Sequence, residues 1–135
     1  MKVLIDTNII LDVLCNRKDF VEDSLKVFKY CEAHRITGCI SAMSVPNIVY
    51  IMRKELDRGR IKEILTILTA IFTVVDLRES DLVKAVNMDF NDYEDALQAV
   101  CASRVKADYI ITRNVKDFRN STVPAIKPKE LLDRI

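Results

Sequence analysis

The chain has 135 residues, half of them hydrophobic, with only two glycines and three prolines, which excludes a disordered tail and fits a helix-rich globule. A chain of this length suffices for one domain that buries roughly two thirds of its unfolded surface. The net charge of +1 neither requires nor forbids a nucleic-acid partner, so only the placement of charges can inform on partners.

The elements follow from periodicity. Val3 to Ile5 form an apolar run that stops at Asp6, the pattern of a buried strand ending on an acid. Thr7 to Leu14 carries apolar residues at helical spacing, Asn16 to Asp19 is a polar break, and Phe20 to Ala33 is amphipathic. Cys39 to Ser41 predicts a second short strand. Ser44, with Pro46 in the first turn, opens a helix expected to run through Leu56 to a stop at Asp57-Arg-Gly59. Arg60 to Phe72 predicts a long helix whose broad apolar stripe should pack deeply against the core or against a second copy of the protein. Thr73 to Asp76 reads as a strand, Glu79 to Met88 as a helix, and Tyr93 to Lys106 as a helix capped by Asn91 or Asp92. Asp108 to Thr112 is a further strand, Val123 to Ile126 a last edge strand, and Pro128 to Ile135 a closing helix. The alternation predicts an α/β fold, a three-layer α/β/α sandwich with a mostly parallel central sheet, in a single domain over residues 1–135.

Several function classes lack material. No apolar run approaches the ~20 residues of a membrane span, and no basic, apolar leader opens the chain, so a cytoplasmic protein without a membrane partner is expected. Cys15, Cys31, Cys39 and Cys101 form no C-x-x-C pair and read as buried thiols. His34 is the only histidine, which leaves little for histidine zinc sites or Ser-His-Asp triads.

Carboxylates remain. Asp6 ends the first strand, where α/β proteins place ligands, although it also suits a helix cap. Asp92 and Asp95 share a face at the start of a helix, where capping would also explain Asp92. Asp117 lies just beyond a strand end and could equally be a solvated loop acid. Together these acids suggest convergence on one site. Oxygen ligands without histidine or thiolate favour Mg²⁺ or Mn²⁺, and such an ion suits phosphodiester hydrolysis.

Leu4-Ile-Asp-Thr-Asn8, Asp92-Tyr-Glu-Asp-Ala-Leu-Gln98 and Ile111-Thr-Arg-Asn-Val-Lys-Asp-Phe118 resemble, in order and spacing, the motifs of PIN domains. The helix within Ser41 to Tyr50 belongs to the same likeness, which covers nearly the whole chain. PIN domains are Mg²⁺- or Mn²⁺-dependent ribonucleases, and many small bacterial ones are toxins of the VapC type held by an antitoxin. The resemblance implies that Asp6, Asp95 and Asp117 are catalytic metal ligands, with Asp92 beside them. It makes Thr7, Ser41 and Thr112 hydroxyls near the metal or substrate, and Asn8 and Asn114 accessory residues. Asn47 departs from the pattern, standing where the family commonly has Glu, as in a subgroup with Asn there. An amide can coordinate but adds no charge. Arg113 and Lys116 border the third motif and are expected to contact RNA phosphates.

The resulting expectation is a metal-dependent endoribonuclease, the toxin of a toxin–antitoxin pair, with RNA and an antitoxin as partners and a homodimer as its assembly. The alternative, prompted by Asn47, is a weakened PIN-like module that binds RNA or protein without cutting. A receiver-like or phosphatase-like protein would need an arrangement of acids that Asp6-Thr-Asn8 does not supply.

Overall fold

A computed structural model describes all residues, 1–135. The elements run β1 (Lys2–Ile5), α1 (Thr7–Leu14), α2 (Val21–Glu32), β2 (Thr37–Ser41), α3 (Ser44–Ile51), α4 (Arg58–Ile71) and β3 (Thr73–Val75). They continue as α5 (Glu79–Val86), α6 (Tyr93–Arg104), β4 (Tyr109–Ile111), a 3-10 turn (Val115–Phe118), β5 (Ala125–Ile126) and α7 (Pro128–Arg134). The strands form one sheet in the order β3-β2-β1-β4-β5. Every pair is parallel, so the expected mostly parallel sheet is parallel throughout.

The alternation of β1 sorts its side chains onto two faces. Val3 and Ile5 join the larger core with Ile9, Phe28, Ile48, Leu68 and Leu131, under α1 to α4 and α7. Leu4 faces the other way, against Ala99, Cys101 and Ala102 of α6. Helix α5 closes over α6 through Ala85, so Ala96 to Ala102 are buried without interruption. This is the expected three-layer sandwich, and its most enclosed helix is the one that carries Asp95 and is capped by Asp92.

Helix α3 ends at Ile51, before the expected Leu56, because a turn and not a further helical stretch brings Leu56 to the core. Asp57 then caps α4, its carboxylate accepting from the Arg60 amide at 2.8 Å, and the helix starts two residues before the expected Arg60. The stripe on α4 is narrower than its sequence suggests. Only Ile64 and Leu68 are buried, and Ile67 faces outward.

With few glycines available, other residues take the left-handed conformation that ends helices. Asn16, His34 and Lys106, just past the caps of α1, α2 and α6, have φ of 49°, 56° and 57°. The single histidine therefore sits in a helix-ending turn. Gly38 is required for a different reason: a Cβ there would come within 2.6 Å of Cys31 Sγ and 2.8 Å of the Phe72 ring. No helix is long and apolar enough to cross a membrane.

Candidate active site

The chain lays β2 and β3 on one side of β1 and returns to place β4 and β5 on the other. The order therefore reverses between β1 and β4, and α/β sheets bind ligands beyond the strand ends at such a point. Asp6 stands there, its amide donating to the Ile111 carbonyl at 3.0 Å. It occupies the cap position of α1, yet its carboxylate caps nothing. Instead the Thr112 hydroxyl donates to Asp6 Oδ2 at 2.8 Å and accepts from the Asn114 amide at 3.1 Å. Burial pushes the Asp6 carboxyl up, against the opposing effect of the Thr112 hydroxyl.

Helix α6 brings the second group of acids. Asp92 caps it, accepting from the Asp95 amide at 3.0 Å, so the capping reading holds for Asp92. Asp95 lies one turn further in, facing a hollow of about 340 Å³ that Asp6, Asp92 and Asp117 also line. Glu94 adds a fifth carboxylate, and no lysine or arginine lines the space. The Asp95 carboxyl is consequently pushed up to about 7, by burial first and then by repulsion from Asp6, Asp92, Asp117 and Glu94. Acids nearly the full length of the chain apart thus share one field.

The remaining wall of the hollow is also rich in oxygen donors: Thr7, Asn8, Asn47, Gln98 and Asn114. Carboxylate, amide and hydroxyl oxygens match a hard divalent cation in chemistry, and the uncompensated negative charge matches it in sign. The acids are not assembled into a ready-made cluster of three metal-binding side chains, so binding would require them to draw together.

Other expected residues take different places. The Thr7 hydroxyl lies 2.7 Å from Ser44 Oγ, and Gln98 Nε2 reaches both, at 3.3 and 3.2 Å. Ser41 does not line the hollow. It is fully buried at the end of β2, where its hydroxyl accepts from the Met43 amide at 3.2 Å and closes the turn into α3. Ser44, three residues further on at the start of α3, supplies the hydroxyl beside Thr7. Arg113 also points elsewhere. Its Nε lies 2.9 Å from Oδ2 of fully buried Asp12, at an angle that makes an ion pair without a hydrogen bond, and its guanidinium covers the Phe20 ring at 4.0 Å. Lys116 and Arg119 line an adjoining hollow of about 400 Å³ that Asp92, Asp95 and Asp117 share.

Sequence reasoning missed Gln98, Ser44, Glu94 and Asp12. Gln98 had a usable signal, being three residues beyond Asp95 and therefore on its face, an amide among apolar neighbours. It is 1% exposed, and its Oε1 has no partner.

Comparison with known proteins agrees with this architecture. The sequence model of a family described as PIN domain matches residues 2–116. Ribonuclease VapC1 of Aquifex aeolicus (strain VF5) is 24% identical, over 98% of this chain and 94% of that protein. Among solved structures, a toxin-antitoxin complex from Klebsiella pneumoniae has a chain with a TM-score of 0.69 and 21% identity, covering 93% of this chain and 97% of that one. VapBC2 from Rickettsia felis, bound to a DNA fragment from its promoter, gives a TM-score of 0.70 at 16% identity, over 94% and 98%. At these identities the structures show a shared fold. The family match spans most of the sequence and all of the switch-point residues up to Lys116, and this chain belongs to the PIN domain family.

Proposed function

We propose that the protein is an Mg²⁺- or Mn²⁺-dependent endoribonuclease, a single nuclease domain over residues 1–135 that serves as the toxin of a toxin–antitoxin pair. The observation that carries this reading is a hollow at the sheet's switch point lined by five acids and by no lysine or arginine, in which burial and repulsion push the Asp95 carboxyl up to about 7. Asp6, Asp95 and Asp117 are the residues to hold the ion, with Asp92 beside them. When bound, such an ion polarises a phosphate oxygen and makes a water nucleophilic at neutral pH.

The chain's own residues prepare that chemistry. Thr112 fixes the Asp6 carboxylate through its hydroxyl and holds Asn114 through the same oxygen. The Thr7, Ser44 and Gln98 network fixes the first turn of α1 against α6. Lys116 stands in the adjoining hollow with Arg119, placed to attract the RNA backbone toward the acids. Asn47 and Asn8 offer amide groups that can orient a phosphate or a water.

The antitoxin partner is supported by relatives solved as toxin–antitoxin complexes. A toxin acting on cellular RNA would work in the cytoplasm, and light scattering tests the homodimer. Asn47, lining the hollow without a charge, favours a second reading as a weakened PIN-like module that binds RNA or protein. Incubation of the purified protein with labelled RNA, with Mn²⁺ or EDTA and beside Asp6→Ala, decides between them. The enzyme requires cleavage that needs Mn²⁺ and disappears in the variant. Binding without any metal-dependent cleavage would establish the module.

A further inference from the structure

The carboxyl edge of the sheet continues past the acids. Next to β4 lies β5, paired Ile110 to Ala125 and Ile111 to Ile126, and Lys127 follows it at the start of α7. Reading outward from β1, the edge presents Asp6, then Thr112 to Asn114, then Lys127 to Lys129. Asn114 lines the acid hollow, while its neighbour Arg113 lines a separate cavity of about 250 Å³, so one residue step divides the two spaces.

This second cavity combines features that no single simple ligand would use. Phe20, 41% exposed, and Arg113, whose guanidinium lies over its ring at 4.0 Å, give the cavity two planar groups. Lys127 and Lys129 border it, as do Asp19 and Asp23, and none of these four is in an ion pair. Ser24 also lines it and has a buried hydroxyl without a partner. Two carboxylates would repel a bare phosphate, and the cations would be wasted on an apolar group. An unpaired nucleotide uses the whole set. Its base stacks on an aromatic or guanidinium plane, its N–H edge donates to carboxylates, and its phosphate takes the lysines.

We propose that this cavity is a nucleotide subsite, holding one unpaired ribonucleotide of the strand whose neighbouring phosphate lies in the acid hollow. The proposal rests on the ribonuclease reading and adds the direction of the strand, from the β1–β4 gap outward over β5. The base-reading capacity of the protein then resides at Phe20, Asp19 and Asp23, outside the family motifs that carry the acids.

The test is fluorescence anisotropy with the full chain in Ca²⁺, a hard cation that offsets the charge of the acid hollow, using a labelled single-stranded oligoribonucleotide and a set in which each position in turn is abasic. Phe20→Ala and the Lys127→Ala/Lys129→Ala pair should each weaken binding about tenfold, the scale of one lost base stack. One abasic position should weaken wild-type binding similarly and add little in Phe20→Ala. Phe20→Leu keeps the apolar volume without the ring, so it separates stacking from folding, and thermal melts accompany every variant. Equal binding by all proteins overturns the subsite, as does loss in the lysine variant with no sensitive abasic position, which would leave only a phosphate track. Wild-type cleavage of RNA in Mn²⁺ alongside either result would refute the subsite and spare the ribonuclease. Absence of both cleavage and binding would refute both.

Discussion

Replacing Asp95 by Asn should stabilise the folded protein while disabling it. The carboxyl moves from 3.8 to about 7 because burial and four neighbouring acids disfavour its charge. Between about pH 4 and pH 7 the folded state holds a proton on Asp95 that the unfolded chain has already released, so stability falls as pH rises through that window. Three pKa units correspond to about 4 kcal/mol, and halving this for the solvent that screens a half-buried group leaves about 2 kcal/mol. An amide keeps the shape and removes the charge. In EDTA near pH 8 the variant should therefore melt roughly 6–8 °C above the wild type for a chain of this size, with the gap closing toward pH 4. Adding Mg²⁺ should raise the wild-type melting temperature and leave the variant nearly unmoved, since a ligand stabilises only the state that binds it. Thermal melts by circular dichroism across pH measure all of this. A variant that melts at or below the wild type at pH 8 in EDTA would refute the claim that the acids repel one another in a shared hollow.

Other substitutions probe the supports of the site and fold. Thr112→Val removes the only side-chain hydrogen bond to buried Asp6 and should cost about 1–3 kcal/mol in urea unfolding, with cleavage lost and then restored in Thr112→Ser. Gly38→Ala drives a methyl into Cys31 and Phe72 and should cost about 1–3 kcal/mol in the same assay. Lys106→Gly relieves a left-handed residue after α6 and should gain about 1 kcal/mol without altering cleavage.

Much of this was readable in the sequence because local and global signals agree. β1 needs only Val3 to Ile5 and an abrupt acid to declare a buried strand, and α1 has the expected bounds because its apolar spacing is regular throughout. Asp6, Asp92, Asp95 and Asp117 each mark the end or beginning of an element, which is how their gathering at the strand ends could be foreseen. Ser41 and Ser44 show where such reading stops. Both flank the turn from β2 into α3, and only the backbone path decides that Ser41 turns inward to Met43 while Ser44 meets Thr7. Arg113 is a further case: Asp12 sits between apolar neighbours in α1 with nothing local to reveal a distant guanidinium, so only the fold shows that Arg113 turns from the acid hollow to the neighbouring cavity. On α4, apolar residues outnumber the positions that the core can cover, so periodicity overstated its buried face.

The most direct test of the central claim is calorimetric titration of Mn²⁺ into the metal-free protein near pH 7, in two buffers of different ionisation enthalpy. Binding should release protons from the Asp95 carboxyl, seen as a buffer-dependent heat, and both the binding and the release should be lost in Asp95→Asn. Failure of the wild type to bind Mn²⁺, or equal binding by the variant, would contradict the account.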